Sequence, residues 1–214
     1  MFPTVPFPAI PEWLPIETAN RPVTLRAFGK DMGDLAVEFA GVERPRLVTS
    51  LLARCSETRS GGPPPEETIW ELPLGTRIEA IVALAGGDVG RPLEWRVRCR
   101  HAGCGAEGEL ELHPAEIAAL AAEAYREKLV PIEIGSGTVW LRRPTGADQQ
   151  RWLSGGTAPV AASLFVEPEF EDLGVALDEI GDSIDQAMDE YDPLVDFHLE
   201  VGCAECGRPT AQAR

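Results

Sequence analysis

The sequence predicts an α+β fold: two related αβ halves behind a proline-rich N-terminal arm. Three observations carry this expectation. Helical and period-two apolar patterns interleave along the 214 residues. Cysteines fall into two close pairs, Cys99-x4-Cys104 and Cys203-x2-Cys206, each at the end of an alternating stretch. A Leu-Arg step, an aspartate, helical segments, an alternating strand and a cysteine pair also recur in the same order. The first round runs from Leu25-Arg26…Asp31 to Cys99/Cys104, the second from Leu141-Arg142…Asp148 to Cys203/Cys206. The expected division is an arm over 1–22, a first half over 23–113 and a second half over 114–214.

Composition narrows the function classes. Hydrophobic residues make up 44% and charged residues 25%, a globular balance. With 35 acidic and 19 basic side chains the net charge is −16, which argues against a nucleic-acid partner, because phosphate contacts need surplus Lys and Arg. No apolar run reaches the roughly 18 residues of a membrane span. The opening MFPTVPFPAIPEWLPIETANRP has no basic n-region, and its prolines break any h-region helix, so a cytoplasmic protein is expected.

The elements follow in order. Six prolines in the first 22 residues favour an extended arm. Its apolar anchors, Phe2, Phe7 and Trp13 among them, suit docking on its own domain or on a partner. Val23–Arg26 reads as a strand. Met32, Leu35, Val37 and Phe39 suggest a helical segment, with another around Leu47, Leu51 and Leu52. Residues 58–68 are a loop, and a helix is expected over 75–87. Leu93–Arg98 alternates into Cys99, and alternation resumes through Leu110 and Leu112, which puts the first cysteine pair on a hairpin turn. Pro114 opens a helix over 114–127. Residues 129–134 and 138–143 form a hairpin, after which Thr145 caps a helix with Asp148 at its third position. Leu177, Ile180 and Ile184 lie on the apolar stripe of a helix over 171–190, a candidate partner-binding face with the arm. A strand through Phe197, Leu199 and Val201 then runs into Cys203, with His198, like His113, on the solvent side.

The paired cysteines suit a metal. Zinc takes four soft ligands in a tetrahedron, commonly from two tight turns that each present two thiolates. Cys203-Ala-Glu-Cys206-Gly207 has that form, the glycine accepting the left-handed turn. The first pair is looser, and His101 inside it is an alternate ligand to Cys99. A shared zinc-ribbon-like site of Cys99, Cys104, Cys203 and Cys206 is therefore expected, tying the halves across the 98 residues between Cys104 and Cys203. Four protein ligands leave no open position, so its role is structural. Metal-free buried thiols, a redox dithiol and a catalytic zinc are weaker readings: the close pairing argues for metal, Cys203 follows a strand, and no base is placed. Cys55 stands alone and reads as a small buried hydrophobe. Nucleotide-loop, dinucleotide and metalloprotease motifs are absent, and a non-enzymatic role is expected.

These residues also carry a resemblance. Leu-Arg-Arg-Pro-Thr-Gly-Ala-Asp (141–148) resembles the L-R-x-P-T-G-x-D signature of the T-even-phage-type baseplate hub assembly chaperone family of contractile-tail phages and extracellular contractile injection systems. Leu72-Pro-Leu-Gly-Thr-Arg77, the strand into Cys99…Cys104-Gly105, and Met188-Asp-Glu-Tyr-Asp-Pro193 before the second knuckle agree in order. The first knuckle is longer than the family's C-P-x-C-G, neither knuckle keeps its proline, and the arm has no counterpart. The resemblance implies a component or assembly factor of a baseplate, made in the cytoplasm and found there or within a tail-like particle, that contacts hub, wedge or spike proteins. The alternative is a zinc-ribbon adaptor in another cytoplasmic complex.

Overall fold

The computed structural model describes residues 4–86, 92–124, 127–135, 137–156, 161–195, 197 and 199–213. It is mixed α+β, with small antiparallel sheets and helices packed on them. The first sheet has the order β1-β2-β3, from β1 (Thr4–Pro6), β2 (Pro22–Arg26) and β3 (Ser56–Thr58). Helices α1 (Arg44–Cys55), α2 (Glu66–Trp70) and α3 (Leu74–Gly86) follow or interrupt it. β4 (Leu93–Arg98) and β5 (Glu107–Leu112) form a hairpin, and α4 (Pro114–Ala124) leads away from it. The second three-stranded sheet has the order β6-β7-β8, from β6 (Leu129–Ile134), β7 (Gly137–Arg142) and β8 (Phe165–Glu167). Helices α5 (Gly146–Gly155) and α6 (Leu177–Tyr191) accompany it, and β9 (Leu199–Gly202) and β10 (Pro209–Ala213) close a last hairpin. Among the described residues no helix is long and apolar enough to cross a membrane.

Each three-stranded sheet buries the leucine of its Leu-Arg step at the centre. Leu25 pairs with Val5 and Ser56, and Leu141 with Val130 and Phe165. Around Leu25 pack Leu52, Ile69 and Ala80 from the three helices, with Leu72 from the link between α2 and α3. Around Leu141 pack Val130, Ile132, Phe165, Ile180 and Met188. A third cluster joins Leu112, Ile117 and Ala121 to Leu194, with Ile78, Val82 and Phe197 at its edge. It draws on chain from both sides of residue 113, so the two expected halves share buried surface.

Some expectations hold and several change. The arm is extended and docks on its own domain, one of its two expected roles: β1 adds an edge strand to β2, and Phe7 and Leu14 are buried beside Leu25. Phe7 and Trp13 therefore pack inward rather than waiting for a partner; Phe2 lies outside the described residues. Ile180 is buried, and Leu177 and Ile184 pack against the same second core, so α6 spends its stripe within the chain. The 171–190 helix is also divided, a short 3-10 turn over Phe170–Leu173 ending at Gly174, whose φ is +66°. The segment from Met32 to Phe39 is only a 3-10 turn, Met32–Ala36, and its large apolar side chains face water. The reason is Asp34, whose buried carboxylate is drawn inward by Arg26 and turns Met32 and Leu35 outward. Strands β3 and β8, of three residues each, lack the length for a visible alternation, and β10 (Pro-Thr-Ala-Gln-Ala) has no large apolar side chain to mark one. His113 is exposed as expected; His198 lies outside the described residues.

Candidate metal centre and a second joint

The two hairpins present their turns to one another. In the first, the Cys99 amide donates to the Ala106 carbonyl at 2.8 Å and the Cys104 amide to the His101 carbonyl at 3.1 Å. In the second, the Cys203 amide donates to the Arg208 carbonyl and the Gly207 amide to the Cys203 carbonyl, both at 2.8 Å. Each second cysteine is followed by a left-handed glycine, Gly105 at φ +63° and Gly207 at φ +68°. A side chain there would meet the steric cost that glycine avoids, and both turns depend on that freedom. Strand β10 lies against β4, which brings the knuckles together.

The resulting cluster is Cys99, Cys104, Cys203 and Cys206, with all four sulfurs within 4.8 Å of one another. The closest approaches cross between hairpins: Cys99 to Cys206 and Cys104 to Cys203, each at 3.7 Å. A disulfide needs sulfurs about 2.05 Å apart. Four thiolates at about 2.3 Å from a tetrahedral ion lie about 3.8 Å apart, so the donor set fits a metal of that coordination. His101 is not among the converging groups. Its Nε2 lies 2.9 Å from the Pro209 carbonyl, a cross-hairpin hydrogen bond with the ε tautomer as donor. Cys55 is fully buried elsewhere, and burial pushes its thiol up to about 11.

The electrostatics of the cluster favour a cation. Amides of Cys206 and Glu205 face the Cys203 sulfur and hold its thiol down to about 7. The His101 amide pulls Cys99 the same way, yet burial and the three neighbouring thiols push it up to about 12. Cys104 is raised likewise, against the pull of the Ala106 amide. One thiolate forms readily and opposes the next; a divalent ion lets all four ionise together.

A second joint ties the same stretches of chain, and it uses the residues of two motifs. Leu72–Arg77 lies against Arg143–Asp148: the Leu74 amide donates to the Pro144 carbonyl at 3.0 Å and the Gly146 amide to the Leu72 carbonyl at 3.2 Å. Pro73 and Thr145 form an antiparallel bridge. Arg77, only 2% exposed, reaches beneath Gly146. Its guanidinium donates to the carbonyls of Ile69 at 2.7 Å and Pro45 at 3.0 Å and to the Thr49 hydroxyl at 2.9 Å, with Trp70 under its face. Burial lowers it to about 10, which leaves it charged at neutral pH. A Cβ on Gly146 would sit 2.5 Å from Arg77 Nη1, so any side chain there must push the buried guanidinium off its acceptors.

Two arginine–aspartate corners flank these joints. Arg26 forks onto Asp34, both contacts at 2.7 Å, and Arg142 forks onto Asp148 at 2.6 and 2.9 Å. The aspartate that Arg26 holds is Asp34; Asp31 instead caps the turn, accepting from the Gly33 amide at 2.7 Å. Thr145 and Asp148 form the expected capping box, and Arg151 also contacts Asp148. The Arg26 hydrogen bonds hold Asp34 well below the usual carboxylate range. Burial acts to raise Asp148, but Arg142 and the Thr145 amide bring it below its ordinary value. A third buried pair, Arg143 with Asp192 at 3.4 Å, has no such hydrogen-bonded fork, and burial pushes Asp192 up to about 6. Asp34 escapes sequence reading, and so do the buried roles of Arg77, Gly146 and Asp192, which the motifs include without explaining. The available signal was a glycine opening a capped helix within a stretch of otherwise well-formed helical residues.

Compared with protein-family models, with curated proteins and with solved structures, the chain matches none.

Proposed function

We propose that the chain is a non-enzymatic component or assembly factor of a contractile injection system or phage-tail baseplate, clasped by a structural zinc shared between two related αβ halves. The observation that carries the reading is the four-sulfur cluster built from hairpins 98 residues apart in sequence. A tetrathiolate set of this spacing suits zinc, and with four protein donors there is no open position for substrate. Its work is then mechanical, fixing one part of the chain against another.

Two further observations support the reading. The stretches that resemble the baseplate family, 72–77 and 141–148, pack on one another in the second joint rather than lying scattered. The parallel between the halves extends beyond element order. Each has a three-stranded sheet with a central Leu-Arg step, a forked Arg–Asp pair and a terminal cysteine hairpin. On this reading the partners are hub, wedge or spike proteins met in the cytoplasm during assembly. The test is purification from the native host through a tag on the full chain. Sheath and tube proteins should accompany it at some stage of particle assembly, identified by mass spectrometry. A chain that carries metal but never accompanies such proteins would contradict the baseplate assignment while leaving the clasp intact.

A further inference from the structure

The corner at Arg26–Asp34 displays apolar side chains without covering them. Met32 is 82% exposed, Leu35 78% and Phe39 58%. The segment is nevertheless held firmly. Beyond the Arg26 fork, Asp34 accepts from the amides of Gly29, Lys30 and Asp31, and Arg54 donates to the Gly33 carbonyl at 2.9 Å. The rings of Phe28 and Phe39 meet edge to face at 5.8 Å. These contacts pre-organise a convex apolar knob, which lowers the ordering cost of any docking event.

Elsewhere the same chain carries an apolar concavity. A groove of about 470 Å³ opens between the arm, α3 and α4, walled by Val5, Phe7, Ala83, Pro114 and Ala118. Glu79 and His113 are its titratable groups. Glu79 has no hydrogen-bond or ion-pair partner among the described residues, and burial pushes its carboxyl up to about 7. Lys30, exposed and two residues from Met32, likewise meets no carboxylate with its ammonium among the described residues. The knob's flanks carry Lys30, Arg44 and Arg46 against Asp31, Glu38 and Glu43. This balanced face spares two acidic chains the repulsion that their net charge of −16 imposes elsewhere.

We propose that a second copy of this chain seats its Met32–Leu35–Phe39 knob in this groove and brings Lys30 to Glu79. Knob and groove share no residue, so two copies either pair reciprocally, each knob in the other's groove, or offer a knob to one neighbour and a groove to another. In the second arrangement copies add head to tail, closing into a ring or continuing as a filament. The inference is independent of the baseplate reading and of the metal.

Sedimentation of the full chain over a wide concentration range tests it. The mass should rise with concentration above that of the monomer. Leu35→Glu at the knob and Ala115→Glu on the exposed groove wall should each weaken association about tenfold or more. Met32→Lys serves as a second knob variant. Mixed together, Leu35→Glu and Ala115→Glu should form a one-to-one dimer that grows no further, because each keeps one intact surface. A chain that stays monomeric throughout would overturn the proposal. So would association indifferent to both substitutions, or a mixture of the two variants that never pairs.

Discussion

At Arg26–Asp34 and at Arg142–Asp148 a strand ends in Leu-Arg, the arginine forks onto a buried aspartate, and that aspartate sits at the third position of a capped turn. What differs is the residue opening the turn: Met32 in the first corner, Gly146 in the second. Met32 projects into water, whereas Gly146 admits Arg77 and lets α5 pack on α1 and α2. The clamp thus sets the local backbone, and one side chain decides whether the corner joins the chain to itself or faces outward.

The strongest way to break this arrangement is to remove the clasp and ask whether the Gly146 joint holds alone. Cys203→Ser should release the metal and remove metal-dependent stability on the order of 10 kcal/mol, comparable to a whole domain's stability. Denaturation monitored by circular dichroism, with and without chelator, should show the variant matching the chelated native chain. Asp148→Asn comes next. It leaves Arg142 and Arg151 without their buried carboxylate and should cost about 3 kcal/mol in urea denaturation. Because Asp148 is held below its ordinary 3.8, its contribution is complete above that pH and is lost as pH falls through the carboxylate range.

Gly146→Ala should cost about 2 kcal/mol, since the displaced Arg77 must abandon buried acceptors. The equivalent Met32→Ala should change stability by less than about 0.5 kcal/mol, an exposed position with nothing to lose in the isolated chain. Equal costs at the two positions would refute the contrast between the corners. Asp192→Asn sharpens it from another side, with an expected cost of only about 1 kcal/mol at neutral pH. Folding raises Asp192 from 3.8 to about 6, so its ionised form opposes folding as pH climbs between those values. The native chain's advantage over the asparagine variant should therefore be larger at low pH and shrink across that window, measured by denaturation at several pH values.

Much of the site was legible because its signals are local. Alternating strands running into paired cysteines, with glycine after each second cysteine, place the knuckles on hairpin turns. Thr145 and Asp148 announce their capping box within four residues. What escaped depends on distant packing. Nothing local tells whether Arg26 selects Asp31 or Asp34, since both follow within one turn's reach. The apolar residues of the arm and of α6 read equally as core or as partner surface, and only the sheets lying beneath them decide for core. Conversely, the helical spacing of Met32, Leu35 and Phe39 suggested an inward face that Asp34 reverses. His101 was an open alternative because its spacing suits a ligand; the Pro209 carbonyl that engages it comes from a strand with no large apolar side chain to announce it.

The shared clasp is tested most directly by elemental analysis of the purified chain beside Cys203→Ser and Cys55→Ser. The account predicts about one zinc per chain in the native protein and in Cys55→Ser, and none in Cys203→Ser. A native chain without metal, or a Cys203→Ser variant that keeps its full complement, would contradict it.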